Sequence, residues 1–129
     1  MKVIDMRPIK RLPDAEFLIM RIVWENDPPM STNQIISYLD PGNTWKHQTV
    51  LTLLVRLIEK GFLSSDKVGK ERTYSPLVSR EHYLSAETRN FFAKLHGNSI
   101  RSLVSTLYEG EKLSKEEIAD LRSWLSERE

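Results

Sequence analysis

The sequence of residues 43–76 in this 129-residue chain predicts a helix, a glycine that ends it and then two short strands. Five apolar side chains recur at helical spacing in its first part, and Gly61 follows where a glycine commonly ends a helix. Thr44 is the expected N-cap of that helix. Strand-favouring residues then occupy 62–64 and 72–75, on either side of a basic turn. The five apolar residues are Val50, Leu53, Leu54, Leu57 and Ile58.

The opposite face of this helix is polar and cationic, which suits the major groove of DNA. Thr49, Thr52 and Arg56 share a side because they are three and four residues apart. Hydroxyls and amides can address base edges there, while cations reach phosphates. A helix face that is merely solvated would have a similar composition. The residues of this segment predicted to contact DNA are Thr44, Lys46, His47, Gln48, Thr49, Thr52 and Arg56.

The turn between the two predicted strands is basic. Lys67, Lys70 and Arg72 surround Gly69, and cations on a hairpin beside a helix can hold the flanking phosphates. Between residues 43 and 74 there are six Lys and Arg against three Asp and Glu, although the whole chain carries a net charge of only +1. The excess of positive charge is therefore local, and it favours nucleic-acid binding by this segment.

Two shorter helices are predicted upstream. The first starts near Asp14 and ends at 26–29, where two prolines cannot continue it. Ser31 can cap the second. Together with the helix and hairpin already described, they predict a winged helix-turn-helix domain over residues 12–77.

Trp24 and Trp45 are expected to pack. Trp24 should close the first helix against the third. Trp45 is expected to pack on the second helix, with a contact between its indole N–H and the DNA backbone as the alternative.

The remaining segment, 78–129, is predicted to be helical and to mediate dimerisation. Its helices should run from Ser79 to Leu95, from about residue 100, and from the capping box 114–117. About fifty residues with such apolar faces make a poor independent core, and a second copy would bury them better. Packing on the winged-helix domain is the alternative. The predicted interface residues are Phe91, Phe92, Leu95, Ile100, Leu103, Val104, Leu107, Ile118, Leu121 and Leu125.

The sequence thus predicts a mainly α protein with an N-terminal arm at 1–11. The arm is basic, with Lys2, Arg7, Lys10 and Arg11, and is expected either to touch DNA or to form a frayed tail. Neither a signal peptide nor an apolar run of membrane-spanning length is evident, so we expect a cytoplasmic protein without a membrane partner.

Enzymatic and metal chemistry is not expected. The chain has no Cys, and its three His are far apart, without the spacing of metal ligands. Neither a phosphate-binding glycine loop nor a serine-elbow motif occurs. We therefore predict no catalytic residue, no metal and no cofactor.

Six segments of the predicted winged-helix domain carry the pattern of a known family: Asp14–Glu16, Ile22–Trp24, Ser31–Ile35, Thr44–Trp45, Thr49–Gly61 and Tyr74–Pro76. On these residues the chain resembles the penicillinase and methicillin-resistance repressors, whose relatives include copper-responsive repressors. The resemblance implies a homodimeric winged-helix repressor on a palindromic operator. It also implies that the third helix enters the major groove, with Thr49 and Thr52 on its base-facing side.

The chain departs from that family pattern at three places. Residues 46–48 are Lys-His-Gln where the family usually has Ser-Pro-Lys, which predicts a different operator sequence. The Asn-Phe bond that a membrane-bound sensor protease cuts in β-lactam-responsive members is matched here by Thr106–Leu107, so cleavage at that bond is not expected. The Cys-rich site of the copper-responsive relatives is missing. A sensor protease acting elsewhere, or an unidentified effector, is the remaining trigger.

Two other functions are compatible with the same predicted fold. A protein-interaction module that has lost DNA binding would show a neutral or acidic recognition face, against which the cations of 46–72 argue. A ligand-responsive regulator would enclose a pocket, and Tyr83, Phe91, Phe92 and Tyr108 could line it, although packing is the more common use of such residues.

Overall fold

The computed structural model describes residues 8–129, and within them it has six helices and three short strands. The helices are α1 (Asp14–Glu25), α2 (Thr32–Ser37), α3 (His47–Glu59), α4 (Arg80–His96), α5 (Ile100–Glu109) and α6 (Lys115–Ser126). The strands are β1 (Met30–Ser31), β2 (Leu63–Val68) and β3 (Glu71–Pro76). The mainly α fold class and the winged-helix arrangement are both as predicted. Lys2 and Arg7 of the predicted arm lie outside the described residues.

The core is built where the apolar stripes of α1 and α3 meet. Ile19 and Val23 of α1 are fully buried together with Val50, Leu54 and Leu57 of α3. Each such side chain contributes roughly 1.5–3 kcal/mol on burial, so this contact is a major source of stability. The predicted stripe of α3 is confirmed, and its burial orients the rest of that helix outward.

A partly buried ion pair joins the start of α1 to the end of α3. The Glu16 carboxylate is only 3% exposed, and Oε1 accepts a hydrogen bond from the Lys60 ammonium. A carboxylate buried without a partner would lower the stability of the fold by several kcal/mol, so the Lys60 ammonium stabilises the fold as the partner of Glu16. One residue later Gly61 adopts a positive φ of 80°, which ends α3 at the predicted place.

The sheet has the order β1–β3–β2, with both pairs antiparallel. The hairpin of β2 and β3 forms the wing, and the Met30–Tyr74 pair adds β1 to its edge. Two residues cannot show a strand periodicity, so the sequence gives no sign of β1. Ser31 also caps α2: its Oγ accepts from the Gln34 N–H at 3.2 Å, and its own N–H donates to Gln34 Oε1 at 2.8 Å.

The beginning of α3 corrects the predicted cap. Thr44 was expected at the N-cap, but the helix begins at His47 with Lys46 in the cap position and without a side-chain cap. Asn43 Oδ1 accepts the Trp45 N–H at 2.8 Å, and such a local bond stabilises a turn before the helix. Trp45 therefore precedes α3 and is half-buried against the core, which confirms that it packs, while packing on α2 in particular stays a prediction.

Trp24 packs against the core, as predicted, and also contacts the start of α4. Its Nε1–H donates to the carbonyl of Val78 at 2.9 Å, and its ring lies 5.7 Å from that of Tyr83 and 6.2 Å from that of Phe17. These aromatic rings, with Phe62 beside Tyr83, fix the first turns of α4 to the winged helix. Trp24 thus closes α1 against the start of α4, because α4 supplies rings that the periodicity of α1 alone cannot reveal.

The chain divides into two compact units, one up to Glu87 and one from Thr88 to the end. The dividing point lies inside α4, ten residues beyond the position at which the sequence analysis separated the two predicted domains. Tyr83 explains the difference, since its burial makes the beginning of α4 part of the first unit.

In the second unit, the predicted helices form with minor shifts in their ends. Gly97 and Asn98 have φ values of 55° and 61°, which breaks the chain between α4 and α5. The predicted capping box at Ser114 and Glu117 is present. Among the described residues of α5 and α6, none is buried.

We expect Tyr83→Phe to destabilise the first unit. The Leu12 N–H donates to Tyr83 Oη at 2.9 Å in a buried position, so the variant leaves that donor unpaired at a cost of about 1–3 kcal/mol. Chemical denaturation at pH 7 measures this loss. Tyr38→Phe is the control, because that ring is exposed, and an equal loss in both variants would contradict the role of the hydrogen bond.

The same residue predicts a pH dependence. Burial raises the pKa of Tyr83 above its usual value of about 10, and Glu87 adds to this, while the Leu12 hydrogen bond and Arg11 oppose it. Because the folded-state pKa of Tyr83 lies above its unfolded-state pKa, ionisation favours the unfolded chain. The free energy of unfolding therefore keeps its full value below about pH 10 and falls as the pH rises through the folded-state pKa. The free energy of unfolding should therefore fall more steeply in alkali for the wild type than for Tyr83→Phe.

Candidate nucleic-acid interface

The outward face of α3 is exposed to solvent. The predicted DNA-contacting residues of the segment 44–56 are all exposed, including Thr44 and Lys46 just before the helix. Gln48, Thr52 and Val55 are spaced i, i+4 and i+7, so they form the stripe that points directly away from the buried one. The structure thus brings the predicted polar residues onto one accessible surface.

The threonines of this surface differ in their hydrogen bonding. Thr52 Oγ1 donates to the carbonyl of Gln48 at 3.0 Å, one turn earlier in the helix. Its hydroxyl proton is therefore occupied, while the oxygen can still accept a hydrogen bond and the methyl group stays exposed. Thr49 lies toward the side of the helix that carries Arg56.

The wing separates its charges between two faces. Lys67 pairs directly with Arg72 across the hairpin, so both side chains lie on the same face. Alternation along the strands places Asp66 and Glu71 on the other face. Lys70 stands in the turn next to Gly69, whose φ of 64° favours glycine. The cations predicted from the sequence are thus gathered without the acids that lie beside them in the chain.

A hydrogen bond within the wing orients the Arg72 guanidinium. Its Nη1–H donates to Ser65 Oγ at 3.1 Å, on the same face of the wing. Like charges directly opposite each other destabilise an antiparallel pair, so Lys67 and Arg72 gain nothing from each other. An anion such as a DNA phosphate would relieve this repulsion.

The structure also changes the list of candidate residues. Lys60, which contributes to the basic excess of the segment 43–74, is 41% exposed but forms an ion pair with the buried Glu16. Two further residues, Val55 on α3 and Ser65 on the wing, lie on the same surfaces and become candidates for the interface. The position of Val55 follows from helical periodicity, but its apolar side chain gave no reason to place it there. Ser65 becomes visible only through the strand register.

Histidine and carboxylate side chains are common ligands for a metal ion. His96 Nδ1 lies 2.9 Å from Ser102 Oγ, and its ring packs 5.5 Å from that of Phe91, which makes it a structural residue. Within residues 8–129 there is no group of three or more His, Asp and Glu side chains arranged to hold a metal ion. Across the same residues, no helix is both long and apolar enough to cross a membrane.

Comparison with known proteins agrees with this geometry. The sequence profile of the penicillinase repressor family matches residues 12–127. The chain belongs to the penicillinase repressor family. The family expected from the sequence is thereby confirmed.

Relatives within the penicillinase repressor family align along almost the whole chain. A penicillinase repressor of Bacillus licheniformis is 32% identical over 122 residues, which are 95% of this chain and 94% of that protein. The methicillin resistance regulatory protein MecI of Staphylococcus aureus is 32% identical over 117 residues, 91% of this chain and 94% of that protein. The solution structure of the DNA-binding domain of the repressor BlaI is similar in fold, with 35% identity and a TM-score of 0.50. It covers 64% of this chain and 94% of that one.

We expect Lys67→Ala to weaken binding to DNA of any sequence. Removing one phosphate contact should lower the slope of log affinity against log salt concentration by about one. Titration of a random duplex at several salt concentrations measures both effects. Asp66→Ala is the matched control, because its side chain lies on the opposite face of the wing and it should leave the affinity unchanged or raise it. An unchanged salt slope in Lys67→Ala would remove the wing from the interface.

Proposed function

We propose that this protein is a sequence-specific transcriptional repressor that binds a palindromic operator as a homodimer in the cytoplasm. Its membership of the penicillinase repressor family and its winged-helix fold support this function. The observation that carries it is the joint exposure of one polar stripe on α3 and one cationic face on the wing.

Each part of the interface then has a distinct role. Gln48, Thr49 and Thr52 of α3 address base edges in the major groove. Lys46 and Arg56 flank this group and reach phosphates, as does His47 when its ring donates a hydrogen bond. On the wing, Lys67, Lys70 and Arg72 hold the backbone beside the groove. Base contacts supply the specificity and the phosphate contacts supply most of the affinity.

The second unit supports dimerisation through its exposed apolar surface. None of the ten predicted interface residues, from Phe91 to Leu125, is buried in the single chain. Ile100 and Leu95 are 64% and 63% exposed, which is unusual for large aliphatic side chains clustered in one unit. Trp124, which the sequence reasoning did not consider, belongs to the same unit and is also exposed. A symmetric partner would cover this surface and place two copies of α3 against two half-sites.

The alternatives are weaker on specific grounds. An interaction module without DNA binding would not gather Lys67 and Arg72 on an acid-free face. For a ligand-responsive regulator, Tyr83 is unsuitable as a pocket residue, because it is buried in the first unit with its hydroxyl bonded to Leu12. Release from DNA would then depend on another effector or on a sensor protease. Thr106 and Leu107 lie inside α5, where a helical backbone opposes cleavage, as does the departure from Asn-Phe.

Selection of bound sequences from a random duplex library tests the proposed function. Recovery of an inverted repeat with half-sites about one helical turn apart would support a dimeric, sequence-specific repressor. Weak, salt-sensitive binding without an enriched sequence would contradict it. Expression of a reporter placed behind the recovered sequence would then distinguish repression from activation.

Leu107→Asp should separate the dimer. The side chain is 37% exposed in the single chain, so a carboxylate there leaves the unit folded while its burial in an apolar interface would be costly. Sedimentation should show monomers, and operator affinity should fall by at least an order of magnitude because two linked half-sites no longer act together. Thr106→Asp, an exposed neighbour on another side of α5, is the control. A Leu107→Asp protein that still sediments as a dimer would remove α5 from the interface.

A further inference from the structure

The outward stripe of α3 contains an apolar side chain that stability does not explain. Val55 is 52% exposed on the side of the helix opposite the core. A β-branched residue is a weaker helix former than Ala, so the position gains no helical stability from it. Val55 also lies among polar residues, since Thr52 precedes it by three positions and Arg56 follows it.

Thr52 presents a second methyl group beside that of Val55. Residues three apart on a helix are neighbours, with Cβ atoms roughly 5–6 Å apart. Because the Thr52 hydroxyl donates to the Gln48 carbonyl, its proton is directed back along the helix. The helical spacing therefore places the methyl groups of Thr52 and Val55 side by side, as a small apolar patch within an otherwise polar surface.

One feature of the major groove matches such a patch. The C5-methyl group of thymine is the apolar group that a base pair displays there, and contact with a protein methyl distinguishes thymine from cytosine. We propose that Val55, supported by the Thr52 methyl group, determines specificity by contacting a thymine C5-methyl group in the operator. This inference rests on the proposed function, because it assumes that α3 enters the major groove.

The contact is small, so a chemical change in the DNA is the sharpest test. Deoxyuridine in place of thymidine removes one methyl group and leaves the pairing edge of the base unchanged. Each thymine of the selected operator is replaced in turn, and binding is measured by titration with the full chain. At the contacted position we expect a loss of about three- to tenfold, the size associated with burying one or two carbon groups.

Val55→Ala completes a double-mutant cycle with that substitution. The variant should bind the thymine operator about three- to tenfold more weakly than the wild type. It should then lose nothing further when the contacted thymine is replaced by uracil. Val55→Thr, which keeps one methyl group and the branched shape, should retain part of the preference for thymine.

Val68→Ala is the matched control. That side chain is 61% exposed at the end of β2, on the face of the wing that carries the acids, so its removal should leave every uracil penalty unchanged. The inference is overturned if no single uracil weakens wild-type binding, or if Val55→Ala keeps the full penalty at each position. Equal weakening of Val55→Ala on operator and random DNA would also overturn it. If the wild type selects no operator at all, the proposed function fails first, and that result is distinct from these.

Discussion

The burial of one stripe of α3 is the constraint on which the rest of the structure depends. Val50, Leu54 and Leu57 are removed from water against α1, and the 3.6-residue period then leaves a fixed set of side chains pointing outward. The outward stripe of a helix has a defined orientation only when the packing of its apolar stripe prevents the helix from rotating about its axis. The same contact that stabilises the first unit therefore defines the surface that we propose reads DNA.

Polar interactions complete this positioning at the two ends of the helix. At its end, Lys60 is tied to the buried Glu16 of α1, and Gly61 turns the chain into the wing. At its beginning, the Asn43–Trp45 turn replaces a conventional cap and leaves residues 44–48 exposed. The N-terminus of α3 therefore has no side-chain cap hydrogen bond. At such an end the backbone N–H groups and the positive end of the helix dipole favour an anion.

The two units bury their apolar residues to different extents. The first unit buries a complete core and closes it with the aromatic rings around Tyr83. The second has helices with well-formed caps but leaves its large apolar side chains accessible to solvent. Caps and helical propensity can define the ends of such helices, but they supply little of the free energy of folding. The homodimer that we propose would give this unit the core that a single chain does not contain.

The sequence by itself determined the features that depend on neighbours along the chain. The stripe of α3, the glycine that ends it, the basic turn and the capping box at Ser114 follow from local periodicity and local hydrogen bonds, and each is present in the structure. Tertiary structure decided what depends on distant partners. The pairing of β1 with β3, the ion pair of Glu16 with Lys60 and the packing of Trp24 against Tyr83 join residues 42 to 59 positions apart. It also decided that Lys67 and Arg72 share a face without Asp66, because strand register, which a linear pattern of charges does not contain, sets which side chains meet.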